Sequence, residues 1–292
     1  MGENVYLNGD IISKNEASIP ITDRGFLYGD ALIETLRTYK RAPFMLQSHL
    51  NRLTDSADEL GIKIGRSQKE LKEAVYNVVK ANNIEEAVIR ITLTRGNSVK
   101  RSLFENLEQS NLLITIAPID LEAVNETCEG ASAITGLDKR GMLSSHKSTS
   151  MLPSIIAFKQ AQENGAFDMI QISKRGFVSE ASRANVFVVL DGILLTPMTG
   201  DQVLSGITRK VVIEVAQRNG IKAEEDAIVA QDLSSTEEIF LTNSLYEIVP
   251  ITSLDNKPIA SGEVGPITKR LQNGYRMLVE NWLETIGITV GS

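Results

Sequence analysis

Five short stretches of the 292-residue chain carry residue types capable of chemistry. "SSHKSTSMLPS" sets one lysine, Lys147, among small polar residues just ahead of a helix-like run. A lysine amine acts as nucleophile or base where desolvation or a nearby cation favours its neutral form. Elsewhere it is a solvated surface charge. "VSEASRANVFVV" places Glu180, Arg183 and Asn185 within a strand series. A carboxylate there either faces solvent or needs a buried partner, and one such partner is the protonated ring nitrogen of a cofactor. In "VLSGITRKVVIEVA", Gly206 precedes a helix whose first amides belong to Ile207 and Thr208. Those amides lack partners within the helix, so this is an ordinary helix start or a cradle for an anion. "LTNSLYEIVP" offers Thr242, Asn243 and Ser244 as a turn or an anion contact, and "SHLNRL" sets Arg52 next to a core-facing leucine. Arg52 is then either a snorkelling surface arginine or an inward-pointing phosphate ligand.

Two blocks of secondary structure must position these residues. "NVYLNGDII" contains Asn8-Gly9 and reads as a hairpin. Helices are expected over 46–60, with Leu46, Leu50, Leu53, Ala57 and Leu60 at helical spacing, and over 68–81. "EAVIRITLTRG" and "NLLITIAPI" are rich in β-branched residues and read as strands. Residues 1–119 thus form an N-terminal α/β domain. The polar stretch from Asp120 reads as irregular, giving a linker over 120–133 and a second domain over 134–292. That second domain is expected to hold a helix from Ser148 to Asn164 stopped by Gly165, a strand series, a helix over 206–219, further strands and a closing helix.

Composition removes several classes of function. The net charge is −7, which leaves no basic excess to neutralise phosphates, so no nucleic-acid partner is expected. One cysteine, Cys128, excludes an intramolecular disulfide framework and fits a reducing compartment. Two histidines and one cysteine make a His/Cys metal site a poor reading. The N-terminus lacks a signal-peptide pattern and no apolar run approaches the roughly 20 residues that span a bilayer, so a cytoplasmic protein is expected. P-loop, dinucleotide and G-x-S-x-G patterns are absent.

Taken in order, the chemical stretches resemble the signature of the class IV, or fold type IV, pyridoxal-phosphate aminotransferases. The matching residues are Glu180, Ser182, Asn185, Val186 and Phe187, then Leu194 and Thr196, then Leu204, Gly206, Ile207 and Arg209. "ITDRGFLYGDALIETLRTY", "SHLNRL", "LTNSLYEIVPIT" and "GPITKRLQ" are also similar to the family, so the resemblance spans nearly the whole chain. It implies an α/β (α+β) fold with a smaller N-terminal domain and a larger C-terminal domain of barrel-like β-structure with flanking helices. It implies pyridoxal 5'-phosphate as cofactor, amino acids and keto acids as substrates, and a homodimer in which the "GFLYGD" loop reaches the partner's site. Lys147, 33 positions before Glu180, takes the place of the Schiff-base lysine. Glu180 would pair with the pyridine nitrogen. Arg52, the amides of Ile207 and Thr208, and Ser244 would hold the phosphate.

The branch of the family is set by fewer residues. "IETLR" has Ile33 and Thr35 where branched-chain enzymes carry an aromatic residue and a glycine, and Ala166 stands where those enzymes have a tyrosine. After "TRG" the chain reads Lys100, Arg101, Ser102, without the R-x-H clamp of D-amino-acid aminotransferases. Thr35 matches a threonine of the aminodeoxychorismate lyases. Arg183 is expected either to grip a substrate carboxylate, aided by Lys100 or Arg101, or to form a structural ion pair. The expectation is a transaminase favouring D-amino acids. The alternatives are aminodeoxychorismate lyase and branched-chain or (R)-amine transaminase.

Overall fold

Alternation in "AVIRITLT" buries Ile89, Ile91 and Leu93 on one side of a strand and turns Arg90 to the other. The same period organises the first of two compact units, Met1–Ile119 with His146–Ser150; the second is Asp120–Ser145 with Met151–Ser292. The computed structural model describes residues 2–98, 100, 102–105, 107–200 and 202–288.

The first unit contains β1 (Asn4–Leu7), β2 (Asp10–Ser13), α1 (Arg24–Tyr28), β3 (Ala31–Tyr39), β4 (Ala42–Pro43), α2 (Leu46–Glu59), α3 (Gln68–Asn82), β5 (Ala87–Thr94) and β6 (Asn111–Pro118). Its sheet has the order β2-β1-β6-β5-β3-β4. Leu50, Leu53 and Ala57 of α2 and Leu71, Val75 and Val78 of α3 share one buried core with Leu32, Leu36, Ile89, Ile91, Leu112 and Ile114 of the sheet. Ser67 caps α3 with Glu70 in a reciprocal capping box. Register pairs Thr35 with Arg90 and Arg90 with Thr115, on the sheet face turned away from that core.

The second unit contains α4 (Leu121–Cys128), β7 (Ala131–Leu137), α5 (Leu152–Glu163), β8 (Asp168–Ile172), β9 (Val178–Ala181), β10 (Asn185–Leu190), β11 (Ile193–Thr196), α6 (Ile207–Arg218), β12 (Ala223–Glu225), β13 (Glu238–Asn243), β14 (Glu247–Leu254), β15 (Lys257–Pro258) and α7 (Pro266–Thr285). The strands form a curled sheet of order β12-β11-β10-β13-β14-β7-β8-β9, with β15 added to β14. Phe187 and Phe240 stack across β10 and β13 with ring centroids 4.9 Å apart. No described helix is long and apolar enough to cross a membrane.

Two expected elements differ. The stretch read as irregular carries α4 and β7; Asp120 caps α4 by accepting from the Ala123 amide at 3.1 Å. Only Val124 of α4 is buried, so its helical period is too sparse to stand out in sequence. The helix expected from Ser148 begins at Leu152. Residues 147–149 instead pair with β3: the Ile33 amide donates to the Lys147 carbonyl at 2.8 Å and the Thr149 amide to the Ala31 carbonyl at 3.0 Å.

Candidate active-site residues

In the first unit, Lys147 is positioned by its backbone. The bridge between Leu32 and Ser148 extends the sheet past the open edge of β3. His146 anchors the other side of the segment on α2, with Nδ1 3.2 Å from Ser56 Oγ and Nε2 3.5 Å from Glu59. The lysine is half-buried, and its charge acts on His49.

His49 belongs to a buried cluster that sequence reading missed. Glu34, 1% exposed, points from β3 into the core side of the sheet. Arg52 donates to it through Nε and Nη2, each at 2.7 Å, and His49 Nδ1 lies 2.7 Å from Oε2. Burial opposes ionisation of Glu34, but the hydrogen bonds from Arg52 and His49 outweigh it and hold the carboxyl at about 2. Burial, with the neighbouring charges of Arg52 and Lys147, pushes His49 below its ordinary value although Glu34 pulls the other way. The imidazole is therefore neutral, with Nδ1–H donated to Glu34 and the lone pair on Nε2. The available signals were a lone acid in "ALIETLR" and a histidine three residues before Arg52 on one helix face.

Thr35 is half-buried opposite Arg90. Arg90, also missed, is exposed, and among the described residues no carboxylate pairs with it. On the same sheet face an apolar cavity of about 350 Å³ is lined by Ile19, Ile21, Phe26, Ala31, Thr92 and Thr149. Lys100 is exposed; its carbonyl accepts from Ser98 Oγ at 2.7 Å and from the Ser102 amide at 2.9 Å. Arg101 lies outside the described residues.

In the second unit the structure brings together Glu180, Asn185, Gly206 and the start of α6. Glu180 Oε2 accepts from the Leu204 amide at 3.0 Å and from Asn185 Nδ2 at 3.3 Å. Asn185 Nδ2 also donates to the Leu204 carbonyl at 2.9 Å. A Cβ on Gly206 would meet Asn185 Oδ1 at 2.0 Å, so close approach, rather than backbone angle, requires glycine there. Arg140, absent from the sequence reading, donates through Nη1 to Glu180 Oε1.

The first amides of α6 have no side-chain cap. By contrast, Glu238 caps α7, accepting from the Ile267 amide at 2.9 Å and the Thr268 amide at 2.7 Å. One helix start is thus neutralised by a carboxylate while the other keeps its partial positive charge. Asn185 pairs with Thr242 across β10 and β13, which brings the Ser244 turn to the same end of the sheet. Asn243 Oδ1 shapes that turn by accepting from the Leu245 and Tyr246 amides, each at 2.9 Å. Thr242 Oγ1 is buried and has no hydrogen-bond partner among the described residues.

Arg183 sits apart from this group. Its Nε lies 3.4 Å from the buried Asp168, and its guanidinium stacks on Phe158 and Phe167 at 4.2 and 4.8 Å and on Tyr246 at 5.3 Å. An ion pair within the fold is one of the two roles expected of it.

Residues 31–254 match the family model described as amino-transferase class IV. The chain belongs to the class IV aminotransferase family. It is a pyridoxal-phosphate-dependent enzyme with the fold of type IV structures. The chain is similar to a D-alanine aminotransferase of Bacillus licheniformis, with 32% identity over 93% of this chain and 95% of that one. The Escherichia coli branched-chain amino acid aminotransferase superposes with a TM-score of 0.89 at 27% identity, covering 95% of each chain. A second branched-chain amino acid aminotransferase, solved in complex with N-(5'-phosphopyridoxyl)-L-glutamate, gives 0.87 at 27% identity, covering 96% of this chain and 94% of that one.

The residues present fit a phosphorylated pyridine aldehyde. A half-buried lysine suits the aldehyde, an uncapped helix start beside an orphaned hydroxyl suits the phosphate, and an arginine-held carboxylate suits the ring nitrogen.

Proposed function

We propose that the protein is a transaminase that moves an amino group between an amino acid, D-amino acids favoured, and a 2-keto acid. The observation that carries the transaminase reading is Lys147, pinned by main-chain hydrogen bonds to the strand that bears Glu34 and Thr35. The D-preference is supported by the D-alanine aminotransferase relatives and by Thr35 and Ala166 standing where branched-chain markers are expected.

The cofactor, when bound, supplies the electron sink that makes the substrate Cα–H acidic. Lys147 Nζ would hold the cofactor aldehyde covalently. Its amine, when free, would serve as the base for the substrate Cα proton. Glu180 holds the ring-nitrogen proton. The amides of Ile207 and Thr208, Ser244 and Arg52 hold the phosphate, with Glu34 fixing the plane of the Arg52 guanidinium. Arg90, in register with Thr35, takes the substrate carboxylate together with Lys100 or Arg101.

Thr35 also favours a second reading, aminodeoxychorismate lyase. Exposed Ile21, Phe26, Leu103 and Phe104 support a homodimer, and the single cysteine supports a cytoplasmic setting.

The test incubates cofactor-loaded protein and a Lys147→Ala variant with 2-ketoglutarate and, separately, D-alanine, L-leucine and aminodeoxychorismate. D-alanine should give pyruvate and glutamate at least about ten-fold faster than L-leucine reacts, and the variant should lose at least about a hundred-fold. Faster L-leucine turnover would overturn the D-preference. Aminobenzoate release without amino transfer would replace the transaminase by the lyase.

A further inference from the structure

Lys147 is held from two sides, and the two holds differ in kind. On the carbonyl side the hold is mostly main chain. The Ile33 amide donates to the Lys147 carbonyl at 2.8 Å and the Thr149 amide to the Ala31 carbonyl at 3.0 Å. Thr149 Oγ1 and Ser150 Oγ add donations to the Gly29 carbonyl at 3.0 and 3.3 Å. On the amide side the hold is a side chain, that of His146, itself buried. Its Nδ1 lies 3.2 Å from Oγ of the buried Ser56, and its Nε2 lies 3.5 Å from Glu59, whose side chain is 72% exposed. An ionised carboxylate only accepts, so the ring nitrogen facing Glu59 carries a proton, and in the neutral ring Nδ1 accepts from the Ser56 hydroxyl. The Ser56 contact is sheltered from water; the Glu59 contact is open to it and correspondingly weak.

α2 orders these groups. His49, Arg52, Ser56 and Glu59 follow one another at spacings of three and four residues, which places them on one helix face. The first two hold Glu34 and the last two hold His146. One helix face thus fixes Arg52 and, through His146, the chain at Lys147. His146 and Lys147 share a peptide, so their Cα atoms are about 3.8 Å apart. With the Lys147 carbonyl pinned by β3 and the preceding residue pinned by α2, both backbone rotations of Lys147 are fixed. Releasing His146 frees the rotation on the amide side and swings the flexible lysine stem.

We propose that His146 is a positioning residue: its contact with Ser56 aims the Lys147 amine at the cofactor aldehyde. The proposal rests on the reading of Lys147 as the lysine that takes that aldehyde. The effect runs through the backbone and needs no contact between the imidazole and the reacting atoms.

The experiment mixes cofactor-free protein with pyridoxal phosphate. Absorbance follows the bond that forms between Nζ and the aldehyde carbon with loss of one water. His146→Ala and Ser56→Ala should each slow that step about ten-fold, within the cost of slightly misplacing a reacting group. The double variant should be no slower than the worse single one, because both remove the same contact. His146→Asn, whose Oδ1 stands near the place of Nδ1 and can accept from Ser56, should recover most of the rate. His146→Gln, which reaches towards Glu59 instead, should not. Thermal unfolding of the cofactor-free variants separates aim from stability. Asn and Gln variants of equal midpoint but unequal rate would support the proposal. A rate that merely follows the midpoint across the variants would overturn it, as would a wild-type rate in His146→Ala or additive losses in the double variant. A band that survives in Lys147→Ala would overturn the reading of Lys147 itself, a result that no His146 variant can give.

Discussion

The two units each bury a carboxylate against an arginine, and they share the partners differently. In the first, Glu34 meets Arg52 with a neutral His49 beside it. All the strong donors converge on one carboxylate, which makes Glu34 a strut that fixes a helix to a strand. In the second, Asp138 and Glu180 share one guanidinium, Arg140. The difference lies in how partners are shared: one carboxylate gathers two donor side chains in the first unit, and one guanidinium serves two carboxylates in the second.

The largest expected effect tests the strut. Glu34→Ala removes the buried carboxylate that Arg52 and His49 share and should destabilise the protein by about 3–5 kcal/mol in urea unfolding, the usual range for breaking a buried pair. Asp138→Asn leaves Arg140 paired with Glu180 and should cost about 1–2 kcal/mol. Equal losses would erase the distinction. The same contrast appears with pH. Because the folded value of Glu34, about 2, lies below its ordinary 4.5, its stabilisation is complete above pH 4.5 and is lost as pH falls towards 2. The difference corresponds to about 3 kcal/mol. Glu34→Gln should lack that portion of the acid limb, measured as unfolding free energy at several pH values; an unchanged acid limb would break the assignment.

What was legible in sequence follows from which physics is local. Lys147, Glu180, Gly206 and Ser244 could be read because a loop lysine, a strand carboxylate, a helix start and a turn are each short-range patterns. α2 and α3 were legible from their apolar period. Glu34 was not, because its partners His49 and Arg52 lie 15 and 18 residues away and only the α2–β3 packing brings them together. Arg140 was hidden for the same reason, being 40 residues from Glu180. The pairing of residues 147–149 with β3 has no sequence period, since three polar residues on a sheet edge look like any loop. Arg183 shows the converse: its neighbourhood in sequence suggested chemistry, and its neighbourhood in space is an acid and three rings.

A middle-sized effect separates the two arginines on which carboxylate recognition was weighed. Arg183→Ala removes a stacked cation and the charge partner of Asp168, whose carboxyl burial already pushes up. It should cost about 1–3 kcal/mol of stability and leave KM for the amino acid unchanged. Arg90→Ala should do the reverse, shifting stability by no more than about 0.5 kcal/mol while raising KM about ten-fold. Steady-state kinetics beside denaturant unfolding checks both, and a raised KM in Arg183→Ala would reassign the clamp.

The smallest effect is the most diagnostic of what the second unit is directed at. Thr242 Oγ1 is buried without a partner among the described residues, next to Asn185 and the uncapped start of α6. A buried hydroxyl with no partner costs about 1–3 kcal/mol of desolvation, which a bound anion would offset. Thr242→Val keeps the shape and removes the hydroxyl. The cofactor-free protein should be unchanged or more stable by about 1 kcal/mol, while cofactor affinity should fall several-fold. Thermal unfolding without cofactor and equilibrium binding of pyridoxal phosphate read the two signs separately. Opposite signs identify a hydroxyl kept for a ligand. A loss of stability in the cofactor-free protein would place Thr242 with Glu34, among the groups that hold the fold, and leave the anion cradle to the α6 amides and Ser244.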